Sequence, residues 1–216
     1  MALSGRSYPI APCTTDRLAH HELHALGSRL PVMLLVASFL SAAVGGCTPK
    51  SRLLNVTLHP QETSMWCWAG GGQMAMHFLG TNVAQCTQAN NRFGVNNCPC
   101  TQCTNPQTNP PCVNGGWPEF GKYGFTFQRT SSTALTWSQL KNELKHNRPV
   151  PFSWGWNGGG GHMMVAVGYA DVGGRHYVTI HDPWSPCTGD TRTLTYAAFV
   201  SGTGYTHWDD FYALAH

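Results

Sequence analysis

Two apolar runs on either side of a glycine pair constrain the fold of this chain most strongly. Residues 162–171 (HMMVAVGYAD) and 175–182 (RHYVTIHD) flank Val172-Gly173-Gly174. This pattern is typical of a β-hairpin with a tight turn. A hairpin brings the first residue of one strand beside the last residue of the next. His162 and Asp182 are therefore predicted to lie together at one end of an antiparallel sheet.

The stretch QETSMWCW, residues 61–68, places Cys67 near the start of a predicted helix that spans residues 66–79. A thiolate is the nucleophilic form of cysteine, and a helix N-terminus and a nearby imidazolium both favour it. Glycines at 70–72 are costly inside a helix, which predicts that another backbone approaches it closely there. The alternative is a helix that begins later, without a helix dipole acting on Cys67.

The remaining pattern predicts further elements along the chain. Residues 48–53 form a tether, 54–58 a strand, 81–116 a long loop without apolar periodicity, 117–123 a helical turn and 125–129 a strand. A capping box, Thr136 with Gln139, predicts a helix over 137–147. A strand follows at 148–156, where Pro149 and Pro151 weaken the expected edge pairing. Residues 194–199 and 207–214 are also strand-like. Helices first and antiparallel strands later predict one α+β domain over 54–216.

An uncharged apolar run, residues 30–46, follows Arg29. It is shorter than the roughly 20 residues that a membrane span needs, and it ends in small residues, so residues 1–46 are predicted to be a secretory leader. The ending Val44-Gly45-Gly46-Cys47 resembles a bacterial lipobox, which would make Cys47 the lipidated first residue of the mature chain. The predicted location is then the bacterial cell envelope, on the outer membrane or the periplasmic face. Cleavage near Ala43 is the alternative, and it would give a soluble, secreted protein.

Cysteine usage and charge narrow the class of protein. Nine cysteines are present. Cys13 lies in the leader, and Cys47 and Cys67 have other predicted roles. An even number of remaining cysteines in an exported chain favours disulfides. The six that remain are Cys86, Cys98, Cys100, Cys103, Cys112 and Cys187. The alternative is a zinc site built from Cys98, Cys100, Cys103 and Cys112. Residues 47–216 carry ten Lys or Arg and eight Asp or Glu, a net charge of +2 that argues against a nucleic-acid partner.

The Gln61–Cys67 segment resembles that of papain-clan cysteine peptidases, including its spacing. The segment from the glycines at 158–161 through His162 to Asp182 and Pro183 is similar to that of bacteriocin-leader peptidases and papain-like effector proteases. The resemblance implies a papain-like fold, with a helix carrying the nucleophile packed on an antiparallel sheet.

The resemblance also implies a role for each site residue. Cys67 is the expected nucleophile and His162 its acid–base partner. Asp182 orients the imidazole, and Gln61 donates to the oxyanion. The expected substrate is a peptide or protein, with no cofactor or metal, and a monomer is expected. Two alternatives stay open, a peptidoglycan amidase or endopeptidase and a catalytically inactive binding module. His181, beside Asp182, is an alternative base, although strand alternation turns it to the opposite face.

Overall fold

The computed structural model describes residues 50–100, 103 and 110–216. The predicted leader and Cys47 lie outside these residues. Within the described part of the chain, no helix is both long and apolar enough to cross a membrane.

Among the described residues, eight antiparallel strands form one sheet, and four α-helices flank it. The strands are β1 (Ser51–Leu53), β2 (Thr126–Arg129), β3 (Val150–Trp156), β4 (Gly161–Val172), β5 (Arg175–Asp182), β6 (Asp190–Thr195), β7 (Ser201–Gly202) and β8 (Tyr205–Ala215). The helices are α1 (Cys67–Phe78), α2 (Gln85–Phe93), α3 (Trp137–Lys145) and α4 (Tyr196–Val200), with a 3₁₀ turn at Phe120–Tyr123. The sheet order is β2-β8-β3-β4-β5-β6, with β1 added to β4 and β7 to β8. The predicted α+β class is confirmed.

The predicted hairpin is confirmed as β4 and β5. Its turn is the pair Gly173 and Gly174, whose φ angles of 57° and 75° lie in the left-handed region. Two such residues match the tight turn whose twist suits antiparallel strands. The register pairs Val172 with Arg175 at the turn and Val165 with His181 near the other end.

The predicted tether and first strand are displaced. Residues 51–53 form β1, which pairs with β4 beyond the last residue that β3 covers. Gly168 permits this approach, since a Cβ there would lie 2.9 Å from the Arg52 carbonyl oxygen. Residues 54–58 were predicted to be a strand and are not. Leu54 and Val56 are buried, so they alternate as strand residues do, but the segment runs into the core without a ladder of its own.

The prediction of a loop over 81–116 is wrong for residues 85–93, which form α2. Its buried face combines Cys86 and Ala89 with two glutamines, and these hide the apolar periodicity. Gln88 Nε2 donates to the carbonyls of Ala69 (2.9 Å) and Val83 (3.0 Å). Gln85 Nε2 donates to the Pro60 carbonyl at 2.8 Å. The buried amide N–H groups thus have backbone carbonyl partners.

Two other elements differ from expectation. β3 lies inside the sheet, between β8 and β4. Pro151 pairs with Val165 of β4, whereas the pairing of β3 with β8 begins only at Phe152. Residues 196–200, predicted as part of a strand, form α4. Thr195 caps this helix by accepting a hydrogen bond from the Ala198 N–H at 3.2 Å.

Helix α1 packs closely on the sheet, as its glycines predict. A Cβ at Gly71 would lie 3.1 Å from the Met163 side chain of β4, and one at Gly70 would lie 3.1 Å from the His59 carbonyl oxygen. α1 begins at Cys67 and does not start later. The capping box of Thr136 with Gln139 is also confirmed at the start of α3.

All six predicted cysteines are paired. Cys86 joins Cys100, Cys98 joins Cys112, and Cys103 joins Cys187. The disulfide prediction is favoured over the zinc site, since the four sulfurs of that alternative are all in disulfides. Cys86–Cys100 joins α2 to the segment that follows it, Cys98–Cys112 joins two parts of that segment, and Cys103–Cys187 joins it to the turn after β5. Three disulfides are typical of an extracellular or exported protein.

Candidate active site

Cys67 occupies the first position of α1 and is partly buried. No side chain caps this helix start, and the first turn has no acidic residue. Unpaired N–H groups and the helix dipole favour negative charge at such a position. Cys67 therefore lies at the end of the helix where its backbone N–H groups are unpaired.

His162 connects Cys67 to Asp182. His162 Nε2 lies 2.6 Å from Asp182 Oδ1, and the ring also hydrogen-bonds the Cys67 side chain. Because Nε2 faces the carboxylate, Nδ1 is the ring nitrogen left for the sulfur. The hairpin brings His162 and Asp182 to one end of the sheet, and α1 brings Cys67 to the same place.

Cys67, His162 and Asp182 are called the trio below. Their electrostatics favour a charged His162 imidazole. Burial lowers the pKa of His162, but hydrogen bonds and charge interactions with Asp182 and Cys67 outweigh it and raise the pKa to about 9. Burial likewise raises the pKa of Asp182, yet its contacts with His162, the Trp184 N–H and Arg192 leave it below the ordinary value. The arrangement suits an imidazolium beside the Asp182 carboxylate.

Arg192 is a site residue that the sequence did not reveal. Its Nη2 lies 2.7 Å from Asp182 Oδ2, while Oδ1 accepts from His162 and from the Trp184 N–H at 2.9 Å. Both carboxylate oxygens are therefore held in place. Arg192 belongs to β6, whereas the strand predicted here began only at residue 194. Without a strand that includes Arg192, its position beside Asp182 could not be inferred.

The trio opens into a cleft of about 760 Å³. Four partly exposed tryptophans line the cleft: Trp117, Trp156, Trp184 and Trp208. The Trp156 ring is nearly parallel to His162, with centroids 6.4 Å apart. A cleft with large apolar walls and a few polar groups is typical of ligand sites.

Gln61 is not among the residues that line the cleft. It is fully buried, and its Nε2 donates to the Thr63 carbonyl at 2.6 Å. Its backbone N–H donates to the Pro183 carbonyl at 3.0 Å, and its carbonyl accepts from the Cys187 N–H at 2.8 Å. The structure thus brings Gln61 to the turn after Asp182. One N–H of its side-chain amide is used in the contact with Thr63.

The alternative base, His181, lies apart from the trio. Its Nδ1 is 3.2 Å from Thr191 Oγ1, and burial lowers its pKa. His207, another histidine of the sheet, is buried with Nε2 3.0 Å from Asp210 Oδ1. Neither residue lines the cleft.

We expect the kcat/KM of peptide hydrolysis to hold up to about pH 9 and to fall above it. Because the pKa of His162 is raised, its ring stays protonated below that pH, and deprotonation would remove the group expected to act as general acid. The protonated His162 also contributes to folding stability. This contribution is complete below the pKa of the unfolded state and is lost as pH rises through about 9. Asp182→Asn should move the alkaline limb to lower pH.

His181→Gln is the control for the pH profile, since His181 contacts Thr191 and not the trio. It should leave the alkaline limb in place. A limb that moves with His181→Gln and not with Asp182→Asn would make His181 the base.

Comparison with known proteins identifies the family. The model of the Peptidase_C39 like family matches residues 53–213. No curated protein gives a significant match. A solved structure from work on the mite allergens Blo t 1 and Der p 1 is similar at 15% identity and a TM-score of 0.43. The match covers 78% of this chain and 73% of that one. The family match confirms the resemblance to papain-like cysteine peptidases that the Gln61–Cys67 and His162–Asp182 segments carry. This chain belongs to the Peptidase_C39-like family, and that membership supports a cysteine peptidase.

Proposed function

We propose that the protein is an exported cysteine endopeptidase that hydrolyses peptide bonds through Cys67, His162 and Asp182. The observation that carries the proposal is the continuous contact from Asp182 through His162 to Cys67, at the start of a helix and on the wall of a large cleft. Nucleophile, base and orienting group are the parts that acyl transfer needs.

Each residue has a step in the proposed reaction. The Cys67 thiolate forms a bond to the carbonyl carbon, and the C=O π electrons move to the oxygen. As the tetrahedral intermediate collapses, the C–N bond breaks and His162 gives its proton to the leaving amine. Water then attacks the thioester while His162 takes its proton, and the S–C bond breaks to release the acid. Asp182 keeps the ring oriented and stabilises the imidazolium.

An endopeptidase is favoured because the cleft extends past the trio in both directions. Its lining runs from Arg129 of β2 on one side to Arg192 of β6 on the other, with His162 of β4 between them. A substrate in this cleft can therefore extend on both sides of the scissile bond.

An epoxide probe for cysteine peptidases tests the proposal. It should label Cys67 stoichiometrically, and prior labelling should stop the hydrolysis of a denatured protein substrate. Labelling without hydrolysis of any protein or peptide would support a binding module. Hydrolysis of purified muropeptides alone would support a peptidoglycan amidase or endopeptidase.

Gln61 is proposed to stabilise the oxyanion, together with the Cys67 backbone N–H. Gln61→Ala should then cost about 2.7–4 kcal/mol in kcat/KM, the usual effect of losing one oxyanion donor. The loss should appear in kcat more than in KM. Because Gln61 is buried and hydrogen-bonded to Thr63, the melting temperature of the Gln61→Ala variant is measured as well. A large fall in Tm with unchanged kcat would make Gln61 a packing residue instead.

The N-terminal proposal is a lipid on Cys47 that anchors the protein to the outer face of a bacterial membrane. Mass spectrometry of the mature N-terminus tests it. An unmodified terminus at another residue would exclude the anchor.

A further inference from the structure

A second pair of charged residues lines the cleft away from the proposed reaction centre. Arg129 Nη2 lies 2.5 Å from Asp209 Oδ2, and Ser153 Oγ donates to Asp209 Oδ1 at 2.8 Å. All three residues line the cleft. The proposed mechanism uses none of them, so their place in the cleft calls for another role.

The strand order places this pair relative to the trio. Across the sheet, Arg129 lies on β2, Asp209 on β8, Ser153 on β3 and His162 on β4. Asp182 and Arg192 follow on β5 and β6. The cleft therefore crosses the strands, with one arginine toward each edge and the proposed reaction centre between them.

Burial decides which charges a substrate meets. Among the described residues that line the cleft, the carboxylate side chains of Asp182 and Asp209 are 5% and 8% exposed. The guanidinium-bearing side chains of Arg192 and Arg129 are 43% and 41% exposed. Each carboxylate is thus more buried than the arginine that it contacts. Arg192 also has the exposed Asp190 at 3.7 Å, so Arg129 is the more accessible positive charge for a substrate.

Arg129 can bind a further group. Its contact with Asp209 uses one of the five N–H donors of a guanidinium. Its carbon Cζ lies 5.7 Å from the Trp117 ring centroid and 5.0 Å from that of Phe211. The two rings and the buried Asp209 hold the guanidinium in place, and a pre-positioned guanidinium is suited to a carboxylate.

We propose that Arg129 determines substrate specificity by binding an acidic side chain of the peptide near the scissile bond. The inference rests on the proposed function. Three strand spacings of about 4.8 Å separate Arg129 from His162, a distance of roughly 14 Å that an extended peptide covers in about four residues. Because the arginine and the acidic side chain both extend toward each other, fewer peptide residues are needed to cover this distance. The acidic residue is therefore expected two to four positions from the cleaved bond.

The test begins with a complex mixture of peptides, whose cleavage sites are identified by mass spectrometry. Glu and Asp should be enriched at one position two to four residues from the cleaved bond. Three synthetic peptides are then made that differ only there, with Glu, Gln or Lys. The kcat/KM for the Glu peptide should exceed that for the Gln peptide by roughly tenfold, as expected for a hydrogen-bonded charge pair. The Lys peptide should be the poorest substrate.

Variants connect the preference to Arg129. Arg129→Gln should bring the Glu-to-Gln ratio close to one while the Gln peptide is still cleaved, and Arg129→Lys should keep part of the preference. Since Arg129→Gln leaves Asp209 unpaired, the double variant Arg129→Gln with Asp209→Asn is measured as well and should show the same loss. Arg175→Gln is the matched control, because Arg175 is an exposed arginine at the β4–β5 turn.

The outcomes separate this inference from the proposed function. Cleavage of no peptide by the wild-type protein would refute the proposed function itself. Cleavage with equal rates for Glu and Gln, a preference for Lys, or a Glu preference that persists in Arg129→Gln would each overturn only the role of Arg129.

Discussion

Cys67→Ala is expected to abolish peptide hydrolysis while the fold is kept. The substitution removes the sulfur, which is the atom proposed to form the covalent bond to the substrate. Loss of a catalytic nucleophile typically lowers kcat on the order of a million-fold. Cys67 is the free cysteine among the described residues, and the other cysteines there are in disulfides. No second thiol in that part of the chain can replace it.

The measurement is kcat on a denatured protein substrate, together with the Tm of each variant. Cys67→Ser is the matched variant, since it keeps the size of the side chain and replaces the thiol with a far weaker nucleophile. Both variants should melt within a few degrees of the wild type. Hydrolysis that persists in a properly folded Cys67→Ala protein would assign the reaction to another group.

Removal of the Cys103–Cys187 disulfide is expected to give the largest loss of folding stability. This bond closes a loop of 84 residues, whereas Cys86–Cys100 and Cys98–Cys112 each close 14. In the chain-entropy model, the long loop corresponds to about 4.5 kcal/mol and a short one to about 3 kcal/mol. Cys103→Ser with Cys187→Ser should therefore lower the free energy of unfolding more than Cys86→Ser with Cys100→Ser.

Urea unfolding of the two double variants under oxidising conditions provides the comparison. The Cys187 N–H donates to the Gln61 carbonyl, and Cys187 follows Asp182 by five residues. The long-loop variant should therefore also lose hydrolytic activity. An equal or smaller loss of stability than in the short-loop variant would show that the 84-residue loop adds nothing through chain entropy.

The hairpin and the trio could be predicted from sequence for a physical reason. Alternating apolar residues and two adjacent glycines determine strand, turn and register locally. Once the register is set, His162 and Asp182 must lie at the same end of the sheet. The glycines at 70–72 gave similar local information, because only a closely packed helix tolerates them.

The missed features depend on contacts between distant segments. Helix α2 buries Gln85 and Gln88, which have backbone partners far along the chain, and a polar residue without its partner does not look buried. Arg129 and Arg192 look like ordinary surface arginines. Only the strand order shows that each contacts a buried carboxylate in one cleft.

The pairing of β1 with β4 also determines where the chain enters the folded unit. Ser51 lies opposite Ala170, and His162 is eight residues away along the same strand. At about 3.3 Å per residue, that separation is roughly 26 Å, most of the length of the strand. A pull applied through the residues before Lys50 would therefore act at the hairpin-turn end of β4, away from the thiol.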